Sequence, residues 1–369
     1  MKVLCLHGRG SSGAIFKSQT SSIRSRLTDL PLSFDFIDGP YPCSPAPGLD
    51  LFYNGPYYSF YPDIETENKA EAQTQLPIAK TSIEVILKAQ EWLEGVIKEG
   101  GPYDIVLGFS QGTAIAAAAL LLFAAQVQSK AKPQSLSPKS QFQDREHVDG
   151  DGLGKERESI SPKSPFKSAI FICGGAPLPL LEHIGYTISP VTKARDIASR
   201  AALFSMTSSS SILSHGSNRW SGTSLDFPSI PNPYSHSFSN PYGTPLPTPF
   251  LTQTQIQPQS QHLDLNLGLR LDGTLSVSPS LTSETDLRRE MQGSIKIPVP
   301  TVHICGERDP RYVAGIQLSE VCEKSSRKVY NHGSGHEIPR FEAVSGALAD
   351  LVRWAVRAAE EGDMVGAER

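Results

Sequence analysis

The sequence predicts an α/β fold in which a mostly parallel sheet is flanked by helices. Several short apolar runs are continuous rather than alternating, as in strands that are buried on both faces of a parallel sheet. Longer segments with apolar residues at helical spacing separate these runs. Strands that alternate with helices form parallel sheets, because each crossover returns the chain to the same edge.

The elements follow one another from the start of the chain. The strands are predicted at 2–7, 33–38, 103–108, 168–173, 299–305 and 327–331. The helices are predicted at 11–27, 79–98, 111–125 and 312–324, with a last helix whose apolar stripe includes Phe341, Leu348, Leu351 and Trp354. Glycine and proline end several elements, for example Gly100-Gly101-Pro102 after the second helix. The helix at 111–125 is apolar nearly all round, which predicts a central position.

Two stretches interrupt this alternation. Residues 127–165 are rich in Lys, Ser, Gln, Pro and Asp, and residues 205–294 contain runs such as TSSSS and QTQIQPQSQ. Such composition cannot bury enough apolar surface to offset the entropy of the chain. We therefore predict a single domain over 1–369 that carries two disordered insertions. The segments at 177–186 and 193–204 are candidates for cap helices over a pocket.

Charge, cysteine content and hydropathy exclude several classes of protein. The net charge of −4 gives no electrostatic reason to expect nucleic acid or an anionic membrane as a partner. The five cysteines are scattered without a CxxC pair, so neither a zinc site nor a disulfide framework is indicated. The apolar run at 115–125 is shorter than the roughly 18 residues of a membrane span. We expect a cytoplasmic protein that uses no metal and no organic cofactor.

The most informative motif is GFSQG at 108–112, which matches G-x-S-x-G between a buried strand and an apolar helix. In that context the motif forms a nucleophile elbow, whose sharp turn strains the serine backbone and lifts the hydroxyl clear of the sheet. The helix N-terminus adds partial positive charge where an oxyanion would form. The alternative is a simple turn with Ser110 capping the helix. The coincidence of strand, motif and helix favours Ser110 as a nucleophile.

A serine nucleophile needs a histidine base and an orienting acid, which follow later strands in the order serine, acid, histidine. GERDP, after the fifth strand, offers Glu307 and Asp309. HGSGHEIP, after the sixth strand, offers His332 and His336. We favour Asp309, because a turn before proline can hold a short carboxylate rigidly. We favour His336, because the Gly-Ser-Gly stretch before it lets the loop fold back over Ser110.

The oxyanion hole is expected from two backbone N–H groups. One belongs to the residue after the nucleophile, Gln111, and the other to the loop after the first strand, LHGRG at 6–10. Within this loop Arg9 is the first candidate and Gly10 is the second.

The loop at 39–62 is dense in aromatic residues and is a candidate wall of the substrate pocket. Its candidate substrate-binding residues are Phe52, Tyr57, Tyr58 and Phe60. Aromatic side chains on a loop need a surface to pack against, and a ligand cleft is one such place. The alternative is that these side chains cover the edge of the sheet.

These motifs together resemble the fungal family of serine hydrolases (FSH), an α/β-hydrolase group. The resemblance rests on MKVLCLHGRGSSGAIFKSQ, DGPYPCSPAPG with YYSFY, GFSQG, GERDP and GSGHEIP. It covers about 1–126, 166–182 and 296–358. The two insertions depart from the pattern of the family, and they leave the size of the substrate open.

The resemblance implies both a site and an activity. By position, the catalytic triad of the family falls on Ser110, Asp309 and His336, and its oxyanion loop falls on 7–10. The family implies hydrolysis of carboxylic esters or thioesters, and some members release polyketide chains from carrier proteins in secondary metabolism. The expected partner is thus a small acyl ester or thioester, free or bound to a carrier protein. The alternative function is that of a non-catalytic binding protein on a hydrolase scaffold.

Overall fold

A computed structural model describes residues 1–62, 82–131, 163–205 and 284–367, all of which belong to one compact unit. The strands are β1 (Lys2–Leu6), β2 (Ser33–Ile37), β3 (Tyr41–Pro42), β4 (Tyr58–Ser59), β5 (Ile105–Phe109), β6 (Ser168–Ile172), β7 (Thr187–Ile188), β8 (Met291–Gln292), β9 (Thr301–Cys305) and β10 (Arg327–Asn331). The helices are α1 (Gly13–Gln19), α2 (Ser21–Arg24), α3 (Ile83–Gly100), α4 (Gln111–Ala131), α5 (Leu178–His183), α6 (Pro190–Ser205), α7 (Glu284–Glu290), α8 (Tyr312–Glu320) and α9 (Glu342–Ala367).

Six strands form one sheet in the order β10-β9-β6-β5-β1-β2, and every pair in it is parallel. The chain runs from β1 to one edge at β2, crosses back to β5, and continues through β6 and β9 to the other edge at β10. The direction therefore reverses between β1 and β5, and ligands of open α/β sheets bind at such a switch point. The topology confirms the α/β fold that the sequence predicts.

The sheet is buried on both faces because each strand contributes to two apolar clusters. Leu4 and Leu6 of β1 face a cluster that includes side chains of α3 and α4. Val3 and Cys5 face a second cluster that includes side chains of α2 and α9. Neighbouring residues of a strand point to opposite faces, so a continuously apolar strand serves both clusters.

Serine side chains cap the N-termini of two helices. Ser12 Oγ accepts the Ile15 N–H at 3.3 Å before α1, and Ser82 Oγ accepts the Val85 N–H before α3. The segment predicted as one helix at 11–27 is two helices, which meet at Thr20.

Helix α4 is the central helix of the molecule. Ile115, Leu120 and Leu121 are fully buried, and the helix packs against β5 and β1. By length and composition alone it could span a membrane, since its mean hydropathy over Gln111–Lys130 is 1.5. A buried core helix satisfies the same criteria, so this finding is weak evidence for a membrane span.

Both predicted insertions are too long at one end. Residues 127–131 belong to α4, because the sequence there keeps good helix formers after the apolar run ends. Residues 284–294 include α7 and β8, and they bury Leu287 and Met291. A helix of seven residues with a single leucine is too short to show an apolar period. Residues 132–162 and 206–283 of the insertions lie outside the described residues, whereas 163–165 are described and form no helix or strand.

The helices on either side of the second insertion, α6 and α7, are joined by a short strand pair and an ion pair. β7, just before α6, pairs with β8, just after α7. The Ser189 N–H donates to the Glu290 carbonyl at 2.9 Å, and Arg195 binds the Glu290 carboxylate through two nitrogens at 2.6 and 3.1 Å. Contacts between described residues therefore join the two ends of the chain segment that runs from β7 to β8.

Candidate active site

Ser110 lies at a sharp turn between β5 and α4. Its φ of +53° is in the left-handed region, which is strained for a residue other than glycine. The flanking glycines allow this turn, because a Cβ on Gly108 would lie 2.7 Å from the Gly112 backbone. A Cβ on Gly112 would lie only 2.1 Å from the Leu6 carbonyl oxygen. The spacing G-x-S-x-G is thus a steric requirement of the turn.

Three predicted residues from distant parts of the chain meet at this turn. His336 Nε2 lies 2.9 Å from Ser110 Oγ, and His336 Nδ1 lies 2.8 Å from Asp309 Oδ2. The carboxylate of Asp309 is almost wholly buried, and its Oδ1 accepts the Arg311 N–H at 2.7 Å. With Nδ1 donating to Asp309, Nε2 is left to accept the Ser110 hydroxyl proton. This order of hydrogen bonds is that of a serine–histidine–acid triad.

The competing acid and base make hydrogen bonds to other residues. Glu307 is exposed, and its Oε2 accepts from Asn331 Nδ2 at 3.4 Å. His332 lies with Nε2 3.5 Å from Cys173 Sγ, and its Nδ1 accepts the Ser334 N–H at 3.3 Å. The structure thus brings Asp309 and His336 to Ser110 and gives Glu307 and His332 other partners.

Of the three expected oxyanion donors, Gly10 is ruled out. Its N–H donates to the Tyr58 carbonyl at 3.0 Å, so it is not available to an oxyanion. Gly10 has a φ of +71°, and a Cβ there would lie 2.2 Å from the Ala46 nitrogen. The residue therefore closes the loop rather than lining the hole. Arg9 and Gln111 stay as the predicted donors.

The His7 side chain fixes the predicted oxyanion loop through two hydrogen bonds. Its Nε2 accepts the Gly39 N–H at 3.0 Å, so Nδ1 carries the proton and donates to the Gly8 carbonyl at 2.7 Å. Burial lowers the pKa of His7, which keeps the ring neutral and preserves both hydrogen bonds. His7 thereby ties the loop after β1 to the loop after β2.

The aromatic loop lies beside the elbow, but its residues have different environments. Phe60 is fully buried against His7 and Trp92, with ring centroids at 4.7 and 5.4 Å. Phe60 is therefore a core residue, and its prediction as part of the pocket wall is wrong. Phe52 is 73% exposed, whereas Tyr57 and Tyr58 are partly buried. For these three residues the substrate-binding role stays a prediction.

The side chain of Gln111 has a role that the sequence does not indicate. Its Oε1 accepts the Phe60 N–H at 2.9 Å, and its Nε2 donates to Ser59 Oγ at 3.1 Å. The residue after the nucleophile thus fastens the aromatic loop to the elbow. A glutamine next to a serine carries no pattern from which this contact could be read.

Cys173 is a second residue that sequence reasoning missed. It follows β6 with a φ of +50°, and its thiol, Asp309 and His336 offer three donor atoms within 4.8 Å of one another. Burial, followed by the charge of Asp309, raises the pKa of this thiol and favours the protonated form. A metal would need the thiolate and would also have to break the Asp309–His336 bond. The donor set therefore fits a triad better than a metal site.

The parallel sheet, the strained serine turn and the Ser110–His336–Asp309 chain together define a serine hydrolase of the α/β-hydrolase fold. The sequence also matches the family described as "Serine hydrolase (FSH1)" over residues 1–209 and 251–347. The chain belongs to this family of serine hydrolases, as its resemblance to the FSH group implies.

Similar proteins of fungi are described as esterases. A probable esterase, tazC of Aspergillus terreus, is 31% identical over 138 residues, which are 37% of this chain and 49% of that protein. Esterase FPY3 of Fusarium mangiferae is 35% identical over 118 residues, which are 32% of this chain and 47% of that protein. The chain thus matches about half the length of these relatives.

Solved structures give weaker likenesses. SOBER1 of Arabidopsis thaliana is 15% identical with a TM-score of 0.36, over 97% of this chain and 98% of that one. Acyl-protein thioesterase 2 of Zea mays is 11% identical with a TM-score of 0.37, over 97% and 93% of the two chains. Both scores are too low to support an argument about function.

Proposed function

We propose that this protein hydrolyses carboxylic esters or thioesters through an acyl-enzyme on Ser110. The observation that carries the proposal is the continuous chain of hydrogen bonds from Ser110 Oγ through His336 to the buried Asp309. The fungal relatives named as esterases support the same reaction class.

The first half of the reaction forms the acyl-enzyme. Ser110 Oγ attacks the acyl carbonyl carbon while His336 Nε2 takes the hydroxyl proton. The buried carboxylate of Asp309 stabilises the imidazolium that forms. The negative charge on the carbonyl oxygen is held by the backbone N–H groups of Gln111 and Arg9, with the N-terminus of α4 behind the first of them.

The second half releases the acid. When the tetrahedral intermediate collapses, the bond to the leaving oxygen or sulfur breaks and His336 returns its proton to that atom. Water then attacks the acyl-enzyme, His336 takes a proton from the water, and the acid departs as Ser110 regains its hydroxyl proton. No step in this sequence requires a metal or an organic cofactor.

The acyl group and the leaving group are finer parts of the proposal. The family implies esters and thioesters, including acyl chains bound to carrier proteins. We also propose a cytoplasmic location, which the buried thiols of Cys5, Cys173, Cys305 and Cys322 support, because a reducing compartment keeps thiols reduced. A fluorescent fusion of the full chain that localises outside the cytoplasm would contradict this placement.

Covalent labelling tests the proposal directly. A fluorophosphonate probe should modify the folded protein, and peptide mass spectrometry should find the adduct on Ser110. Ser110→Ala should lose the label and lose hydrolysis of p-nitrophenyl esters by about 10⁶-fold, with an unchanged melting temperature. Ser22→Ala is the control, because Ser22 Oγ bonds to Ser345 Oγ at 2.9 Å, outside the triad. A folded wild type that resists the probe would favour the non-catalytic binding protein.

A matched substrate series separates esters from thioesters. The same acyl chains would be offered as p-nitrophenyl esters, as N-acetylcysteamine thioesters and as carrier-bound thioesters. A higher kcat/KM for the carrier-bound series supports the carrier-protein proposal. Equal kcat/KM values for the free and carrier-bound thioesters would contradict it without affecting the assignment of Ser110.

A further inference from the structure

The residue two positions after Asp309 is a buried cation. The Arg311 side chain is only 6% exposed, although it lies in the turn that carries the proposed catalytic acid. A buried guanidinium is costly unless its donors are paired, so its partners must contribute to the position of this turn.

Within the described residues, the hydrogen-bond partners of this guanidinium belong to α6. Arg311 Nη1 donates to Asp196 Oδ1 at 2.6 Å, to Ser199 Oγ at 2.7 Å and to the Asp196 carbonyl at 3.3 Å. Asp196 also accepts from Arg200 Nε at 2.8 Å. Although burial alone would raise the pKa of Asp196, the charges of Arg311 and Arg200 lower it, so the carboxylate is ionised.

The backbone of the same arginine contacts the acid itself. The Arg311 N–H donates to Asp309 Oδ1 at 2.7 Å, and the Tyr312 N–H donates to the Asp309 carbonyl at 2.9 Å. The Asp309 N–H donates to the Gly306 carbonyl at 3.0 Å. A movement of Arg311 therefore shifts the donor that orients the carboxylate toward His336.

We propose that Asp196 is a positioning residue that acts through Arg311 to hold the Asp309 carboxylate in line with His336. This inference rests on the proposed function for its kinetic consequences, but the geometry it describes can be measured without turnover. It assigns a role to α6, which is to fix the turn of the proposed catalytic acid.

Removing the charge of Asp196 should weaken the acid–base pair in two ways. The uncompensated Arg311 would move toward water and carry its N–H away from Asp309 Oδ1. Without the Asp196 carboxylate, the positive charge of Arg311 would also be less neutralised, and this charge disfavours an imidazolium at His336. The titratable groups around that imidazole are Asp309, Cys173 and His332. Both effects disfavour the protonated base, so the acidic limb of the pH–rate profile should move to lower pH while kcat falls.

The test compares two ion pairs of the same helix. Asp196→Asn breaks the pair with Arg311, whereas Arg195→Gln breaks an equally short pair between α6 and Glu290 that does not involve the acid turn. For Asp196→Asn we expect kcat for a p-nitrophenyl ester to fall by about tenfold or more, which is the loss found when residues that orient metal ligands are replaced. KM should change little, and the acidic limb should move down. Arg195→Gln should retain the wild-type kcat and profile.

A second readout does not depend on activity. The proton between His336 Nδ1 and Asp309 should give a low-field ¹H resonance, identified by its loss in His336→Gln. It should weaken or shift upfield in Asp196→Asn and stay unchanged in Arg195→Gln. If wild type shows the resonance but neither hydrolyses esters nor reacts with the probe, the proposed function fails while the positioning role can still be judged.

Conservative changes cover the case in which Asp196→Asn does not fold. Asp196→Glu keeps the charge and should retain most of the activity and the resonance. Asp196→Asn combined with Arg311→Gln removes both charges, and it should be more stable than Asp196→Asn alone, because a buried charge without its partner costs more than no charge. The proposal is overturned if Asp196→Asn, or the double variant in its place, matches Arg195→Gln in profile and resonance, because both changes remove the tie between α6 and the turn of Asp309. It is also overturned if activity falls while the acidic limb and the resonance do not move.

Discussion

Asp309 Oδ2 lies 2.8 Å from His336 Nδ1, although 27 residues of chain separate the two. The other carboxylate oxygen is taken by the Arg311 N–H, so a single oxygen faces the imidazole. That contact fixes the tautomer in which Nε2 can accept the proton of Ser110.

The first prediction compares the two carboxylates of GERDP. Asp309→Asn should lower kcat/KM for p-nitrophenyl esters by about 10⁴-fold, because an amide in this place favours the wrong imidazole tautomer. Glu307→Gln should stay close to wild type, since Glu307 is exposed and bonds to Asn331. Both variants should melt near the wild-type temperature. A larger loss in Glu307→Gln would move the acid to Glu307.

The second prediction separates the buried from the partly exposed aromatic residues of the loop. Phe60→Ala should lower the free energy of unfolding by about 3–5 kcal/mol, as truncation of a buried aromatic ring does. Tyr58→Ala should alter the preference for acyl-chain length more than the melting temperature. Phe52→Ala is the control for stability, because that ring stands in solvent. A Tyr58→Ala variant with lost stability and unchanged selectivity would instead make Tyr58 a cover for the sheet edge.

The third prediction concerns the second insertion. Replacing 206–283 with a flexible linker should leave the melting temperature unchanged, because β7 and β8 and the Arg195–Glu290 pair already join the two ends of this chain segment. Removing 205–294 in the same way should destabilise the protein, since that cut deletes buried Leu287 and Met291. Equal melting temperatures for the two deletions would show that α7 and β8 contribute nothing. If the deletion of 206–283 abolishes activity while the melting temperature stays unchanged, these residues shape the site.

The fourth prediction follows from a buried histidine outside the site. Burial, with a smaller effect from Arg327, lowers the pKa of His303 from 6.5 to about 3. The unfolded chain therefore binds this proton first as the pH falls, and His303 reduces the stability of the fold between about pH 6.5 and 3. The loss is about 1.4 kcal/mol for each pH unit.

Chemical denaturation at several pH values measures this loss. His303→Phe should match wild type near pH 7.5 and gain about 2 kcal/mol relative to it at pH 5. His183→Gln is the control, because His183 is exposed at the end of α5, and it should show the slope of wild type. A His303→Phe variant with the wild-type slope would contradict the buried neutral state.

Much of the fold and of the site follows from local sequence. Continuous apolar strands are typical of a sheet that is buried on both faces, so these strands and their alternation with helices predicted a parallel sheet. The glycines at 108 and 112 leave few turns open to Ser110. The order of nucleophile, acid and base along the chain predicted that GERDP carries the acid and that GSGHEIP carries the base. Family resemblance assigned the same three residues.

Tertiary structure decided what depends on distance rather than on order. Only the packed loops show that the Gly10 N–H is bonded to Tyr58, that Phe60 is part of the core and that Gln111 fastens the aromatic loop. The Asp196–Arg311 pair joins residues 115 positions apart, and nothing near either residue indicates the other. Local patterns set the conformation of short segments, whereas the partner of a buried polar group is set by whichever distant segment packs against it. For that reason the sequence alone predicted the triad, and only the folded chain showed what holds it in place.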